Sequence, residues 1–170
     1  MSRTANISAS KGTMVQEFFK ANGNISIGEN NLFQSCTSVF ANKGDILIGN
    51  NNIFEENVVI INNSSEPMHI GNDNYFESGS YIDSSQIGDR NQFEPRSKIQ
   101  PGCIIKNETV VSANCSVEAG TILEDLSVIY GNNNVLRKQF DQFFLSYHYQ
   151  HIKYLRKIIK ASKGDVKIFQ

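Results

Sequence analysis

Ile87-Gly88-Asp89-Arg90-Asn91-Gln92-Phe93 opens a stretch in which a branched or aromatic residue falls on every sixth position: Ile87, Phe93, Ile99, Ile105, Val111, Val117, Leu123, Ile129 and Val135. Nine successive hits in a chain that is 39% hydrophobic are not a chance pattern. The opening heptapeptide also has three earlier copies. They are Ile27-Gly28-Glu29-Asn30-Asn31-Leu32-Phe33, Ile48-Gly49-Asn50-Asn51-Asn52-Ile53-Phe54 and Ile70-Gly71-Asn72-Asp73-Asn74-Tyr75-Phe76. A period of six fits neither the 3.6-residue repeat of an amphipathic helix nor the two-residue alternation of a half-buried strand. It fits a chain wound round a triangular prism, one hexapeptide to a face.

Laid out in that way, the sequence gives three columns of inward side chains. The first is Ile27, Ile48, Ile70, Ile87, Ile105 and Leu123; the second is Phe33, Phe54, Phe76, Phe93, Val111 and Ile129; the third is Val39, Ile60, Ile82, Ile99, Val117 and Val135. Burying each such side chain contributes about 1.5–3 kcal/mol, against the entropy of ordering the chain. Four residues after each first-column position comes Asn31, Asn52, Asn74, Asn91, Thr109 or Ser127, small enough for a tight corner and able to form amide ladders from coil to coil. Cys103 and Cys115 share this offset from their own columns and read as small packed thiols. The chain's twenty Asn and 12 Gly suit a fold of many corners, because both residues enter left-handed backbone cheaply.

The period slips only after the third column. Val39 to Ile48 and Ile60 to Ile70 are too long, and Ile82 to Ile87 is one residue short. Both insertions, Asn42-Lys43-Gly44-Asp45 and Asn62 to Pro67, therefore leave the same edge of the prism. Insertions gathered on one edge of a repeat protein mark either a binding surface or tolerated loops. Lys43, Asp45, Asn63 and Glu66 are the candidate contacts there. Val15 and Ala21 allow one more coil before Ile27, although the first ~20 residues read as an irregular cap, with Met14 to Phe19 as its apolar part.

After Val135 the spacing becomes helical, through Leu136, Phe140, Phe143, Phe144, Tyr147, His151, Tyr154, Leu155, Ile158 and Ile159. The expected organisation is a β-helix over 1–135, an amphipathic helix over 136–161 and a flexible tail over 162–170. A helix of that length reaches roughly 40 Å at 1.5 Å per residue, enough to lie along six or seven coils with its aromatic stripe buried. Lys153, Arg156, Lys157 and Lys160 then form an outer basic face, either simply solvated or docked on an acidic partner. Residues 1–134 carry 8 Lys+Arg against 15 Asp+Glu, and residues 135–170 carry 8 against 2, so an acidic body bears a basic tail.

Net charge is −1, which favours neither nucleic acid nor membrane surfaces. The polar start, Met1 to Ser10, predicts no secretory leader, and the apolar run Val58 to Ile61 is too short to span a bilayer. Three cysteines without metal-ligand spacing predict reduced thiols in the cytosol. Two enzyme classes share such a prism. Hexapeptide acyltransferases need a histidine general base at a subunit cleft, and β-helical (γ-class) carbonic anhydrases need three histidines per zinc at a trimer interface. The coils hold one histidine, His69, beside the second insertion, where it reads as a capping or exposed imidazole; His148 and His151 fall in the helix and read as structural. No phosphate-binding, dinucleotide-binding or nucleophile-elbow motif occurs, so no catalytic, cofactor or metal residue is assigned.

Beyond the repeat, the chain resembles the dynactin subunit 6 family, the small β-helix subunits of the dynactin pointed-end complex. The resemblance rests on Ile48-Gly49-Asn50-Asn51-Asn52 with Glu55-Glu56 and Ile60-Ile61-Asn62, on Gly102-Cys103-Ile104-Ile105, and on Ser127-Val128-Ile129-Tyr130-Gly131. Leu136-Arg137-Lys138 and the aromatic-basic helix with Tyr147-His148 complete it. It covers roughly residues 25–160; the sister family, dynactin subunit 5, has a similar fold and stands as the alternative within it. The resemblance implies a left-handed coil, an exception to the right-handed rule for strand crossovers. It further implies a non-catalytic scaffold without cofactor, in the cytoplasm and on the microtubule cytoskeleton, that is not an obligate homotrimer. The implied partners are dynactin subunit 5, the other pointed-end subunits including the actin-related protein, and dynein cargo adaptors, with no nucleic acid and no membrane insertion.

Overall fold

Hexapeptide spacing becomes coil geometry because two corners of the successive coils are each turned by one residue in left-handed backbone. Asn30, Asn51, Asp73, Arg90 and Glu108 all have φ of 57–58° at the corner between faces one and two. Cys36, Asn57, Gly79, Arg96 and Asn114 turn the next corner with φ of 59–71°. The residue that follows is the small, buried one of the sequence pattern, so corner conformation and corner packing are divided between neighbouring positions. Arg and Glu at such φ values carry a local strain of about 1–3 kcal/mol, held by the coils stacked on either side.

The computed structural model describes residues 6–132, 134–137, 144–161 and 166–170. It is a parallel β-helix of about seven coils with one C-terminal helix. Cα partners across the coils pair Ile27 with Ile48, Phe33 with Phe54 and Val39 with Ile60, the columns read from the sequence. The phenylalanines of the second column form a continuous ring stack, with centroids 4.4, 4.7 and 4.8 Å apart from Phe33 through Phe54 and Phe76 to Phe93. At the corner beside them the predicted amide ladder is present. Asn52 Nδ2 donates to Asn31 Oδ1 at 3.0 Å, and Asn74 Nδ2 to Asn52 Oδ1 at 3.0 Å.

Four expectations are corrected. The N-terminal stretch is not an irregular cap but a further coil: Ala9, Val15 and Ala21 pair with Ile27, Phe33 and Val39. Small Ala residues suffice there because Phe19 packs edge-on against Phe33 at 5.4 Å and fills the end of the prism. Val135 does not complete the third column. Asn134–Arg137 turns back antiparallel on Ser127–Tyr130, and Val135 stands 59% exposed. The tail is not wholly flexible, since Lys167–Ile168 pairs antiparallel with Met14–Val15 and Phe169 exchanges backbone hydrogen bonds with Gly12 and Thr13. Finally, the helix does not begin at 136: it is described from Phe144 to Ala161, 18 residues or about 27 Å. Leu136 is strand, and the expected helical positions Phe140 and Phe143 lie outside the described residues.

The helix packs on the outer side of face two. Ile152, Leu155 and Ile159 form a second apolar cluster with Met14, Leu32 and Ile53, the outward residues just before the second column in three successive coils. Its buried side is therefore His148, Ile152, Leu155 and Ile159, with exposures of 2–9%. The expected stripe through Tyr147, Tyr154 and Ile158 is instead exposed at 66, 61 and 47%. Periodicity alone allows either arc, because apolar residues occupy more than half of the helix circumference.

Candidate interaction surfaces

Three surfaces depart from the plain prism wall. The first is the edge between faces three and one, where the two insertions stack on each other. Gly44 N donates to Ser64 O at 2.7 Å, and Met68 N to Asp45 O at 2.9 Å. Asn62, almost fully buried, fastens both loops by donating from Nδ2 to Asp45 O at 3.0 Å and Glu66 O at 2.8 Å. A Cβ on Gly44 would come within 2.3 Å of Glu66 O, so only glycine permits this approach. Asn42, Asn63 and Asp83 continue the edge as a polar chain: Asn42 Nδ2 donates to Asn63 Oδ1 at 2.9 Å and Asn63 Nδ2 to Asp83 Oδ2 at 3.0 Å. Lys43, Asn63 and Glu66 are exposed here and Asp45 is half-buried, so the structure brings these four sequence candidates together on a rigid edge.

The second surface is the helix, and it lies on face two, away from that edge. Lys153, Lys157 and Lys160 are exposed. Arg156 departs from the expected basic face: it turns toward the prism, and Nη1 donates to Gly12 O at 2.6 Å. His148 makes a second anchor, its Nε2 lying 2.7 Å from Asn51 O. Burial holds its pKa below the ordinary 6.5.

The third surface was not foreseen. Glu55, Glu77 and Glu94 each follow a second-column phenylalanine and form a row of half-buried carboxylates beside the helix. The repeated Phe-Glu pair at Phe54, Phe76 and Phe93 is the signal that could have revealed it. Glu55 accepts from the Tyr75 hydroxyl and from Ser78 N at 3.0 Å, Glu77 from Gln92 Nε2 at 2.7 Å, and Glu94 from Ala113 N at 3.0 Å. Burial raises the pKa of Glu77, and the neighbouring charges of Glu55 and Glu94 add to the shift. Tyr75 is pushed up by burial and then by Glu55.

His69 is exposed on face one between Leu47 and Gln86, lining a shallow groove with Ser8 and Ser26. None of the described hydrogen bonds orients its ring. Among the described residues no group of three His, Cys, Asp or Glu side chains is placed to hold a metal, and no helix is long and apolar enough to cross a membrane.

No protein-family model matches the chain. Dynactin subunit 6 of Nematostella vectensis is 32% identical over 142 residues, which cover 77% of each protein. The chain belongs to the dynactin subunit 6 family. Dynactin subunit 6 of Dictyostelium discoideum is 36% identical over 112 residues, 66% of this chain, and the match spans about half, 48%, of that relative. Among solved structures, a hexapeptide transferase family protein from Anaplasma phagocytophilum superposes with a TM-score of 0.78 over 91% of this chain and 92% of that one, at 14% identity. That likeness fixes the fold as the left-handed hexapeptide β-helix and nothing more. The dynactin subunit 6 family thus shares its prism with transferases.

Proposed function

We propose that this chain is a non-catalytic structural subunit of dynactin, acting within the pointed-end complex in the cytoplasm and helping to connect the dynein motor with cargo adaptors on microtubules. The observation that carries the reading is the match to dynactin subunit 6 over 77% of the chain. The interior supports it: the three columns are packed with apolar side chains, with the thiols of Cys103 and Cys115 buried among them, so the polar chemistry among the described residues is concentrated on the outer wall and at the loop edge. A sister β-helix, dynactin subunit 5, is the proposed neighbour, with the actin-related protein and other pointed-end subunits beyond it. The stacked loops bearing Lys43, Asp45, Asn63 and Glu66 form its contact. Rigid, glycine-dependent loops suit this role because little entropy is lost when they bind.

Affinity purification of the tagged full chain from native cytosol, with identification of the bound chains, tests the proposal. Dynactin subunits should be recovered, and Asn63→Lys with Glu66→Lys should remove them while circular dichroism shows the chain still folded. The rival is a hexapeptide acyltransferase, with His69 as its general base, or a γ-class carbonic anhydrase. A homotrimer in solution that turns over an acyl donor or hydrates carbon dioxide overturns the scaffold reading.

A further inference from the structure

We propose that the exposed flank of the helix and the carboxylate row beside it form one docking ledge for a basic amphipathic segment of a partner protein. Three contacts pin the helix along one side. His148 meets Asn51, Arg156 meets Gly12 and Tyr149 meets Asp73, all at the corner between faces one and two. At about 100° per residue the opposite flank is Tyr147, His151, Tyr154 and Ile158, and it overhangs the other half of face two. There the His151 ring packs edge-on against Tyr75 with centroids 5.2 Å apart, and the Tyr75 hydroxyl donates to Glu55. Apolar wall and carboxylate floor are thus joined through two residues.

Both parts face outward from the prism. Tyr147, Tyr154 and Ile158 are 66, 61 and 47% exposed, an apolar strip about three turns long. Glu55, Glu77 and Glu94 stand on successive coils, roughly 4.8 Å apart. Their described partners are all neutral: a phenol, a hydroxyl, an amide side chain and backbone N–H groups. The two described ion pairs, Arg90–Glu108 and Lys106–Glu124, lie elsewhere. Lys153, Lys157 and Lys160 fall on the back of the helix, away from the row. Stacked like charges repel one another, and a cation laid along them relieves this while Tyr and Ile side chains are covered by its apolar neighbours. An acidic segment or an anionic lipid surface would be repelled by the same row. The ledge is separate from the loop edge proposed for the sister subunit, so the two inferences stand or fall apart.

The test compares the isolated chain with the complex purified on it, using carbodiimide and glycine ethyl ester to label carboxylates. Glu77 and Glu94 should be labelled several-fold less in the complex, while exposed Glu118 is unchanged. Equal labelling in a complex that still contains its partner subunits overturns the ledge and leaves the dynactin reading intact. A second arm needs no complex. The isolated chain should bind a fluorescent synthetic peptide of interleaved leucine and arginine. Glu77→Gln with Glu94→Gln, or Tyr154→Ser, should weaken it about tenfold, and Lys153→Ala with Lys157→Ala should not. The glutamate version of the peptide should bind only to the Glu77→Lys, Glu94→Lys chain. Circular dichroism checks that each variant is folded. Peptide binding indifferent to these substitutions, or self-association lost on Tyr154→Ser, overturns the proposal.

Discussion

His148 Nε2 lies 2.7 Å from the carbonyl oxygen of Asn51, so the ring donates from Nε2 across the contact between the helix and the third coil. Burial is the largest influence on the ring and holds its pKa below 6.5. A group with a depressed folded pKa that is neutral when deprotonated binds more protons unfolded than folded. Its stabilising contribution is therefore complete above pH 6.5 and is lost as the pH falls from there through the folded value. Urea midpoints followed by circular dichroism should decline over this window. His148→Gln, which keeps an N–H donor and does not titrate, should flatten the decline. An unchanged pH profile in His148→Gln would assign the acid sensitivity to other groups.

Arg156 and Lys153 look equivalent in the sequence but are not equivalent in the structure. The Arg156 guanidinium donates to Gly12 O at 2.6 Å across the end of the first coil. Arg156→Ala should destabilise by about 1–2 kcal/mol, the range of a charge-assisted bond to a partly buried carbonyl. Lys153→Ala should change stability by less than about 0.5 kcal/mol, as surface substitutions do. Equal effects in urea unfolding would mean that Arg156 contributes only bulk charge.

The coils were legible because each inward position repeats a single demand, an apolar side chain every six residues, and a wrong register would bury polar residues throughout. The ends were not legible. At the N-terminus the inward residues Ala9, Val15 and Ala21 are small, so the period fades although the backbone pairing continues through Ala9↔Ile27. At the other end the period overshoots: Val135 keeps the six-residue spacing, yet Tyr130-Gly131 reverses the chain, with Gly131 at φ 54°. The helix was visible as a helix, but which arc it buries depends on a match with Met14, Leu32 and Ile53, residues far away in sequence. The carboxylate row escaped notice because one glutamate after each phenylalanine reads as an ordinary solvated residue until the coils are stacked.

Val117 and Val135 make that overshoot measurable. Sequence periodicity treats them as equal members of the third column, whereas Val117 is 3% exposed and Val135 59%. Val117→Ser should cost about 2 kcal/mol through lost burial and a hydroxyl placed against apolar neighbours. Val135→Ser should stay within about 0.5 kcal/mol of the natural chain. A large loss in Val135→Ser would show that the strand Asn134–Arg137 continues the coil in solution instead of folding back.

The amide ladder offers the sharpest contrast, because its members are chemically alike and differ only in partners. Asn52 Nδ2 donates to Asn31 Oδ1 at 3.0 Å and Gly71 O at 2.9 Å, and its Oδ1 accepts from the backbone N–H of Asn74 at 2.9 Å. Asn52→Ala leaves a buried N–H and a buried carbonyl unpaired, each worth about 1–3 kcal/mol, so a loss of about 2–5 kcal/mol is expected. Asn91 sits at the end of the ladder: its Nδ2 has no hydrogen-bond partner, while its Oδ1 accepts from Thr109 N at 2.7 Å. A threonine hydroxyl can fill this acceptor role, as Thr13 Oγ1 does for Asn31 N in the first coil at 3.3 Å. Asn91→Thr should therefore cost less than about 1 kcal/mol, since it also removes an unsatisfied buried amine. Equal destabilisation by the two substitutions in urea melts would mean that the ladder acts through side-chain volume alone, with no net contribution from its hydrogen bonds.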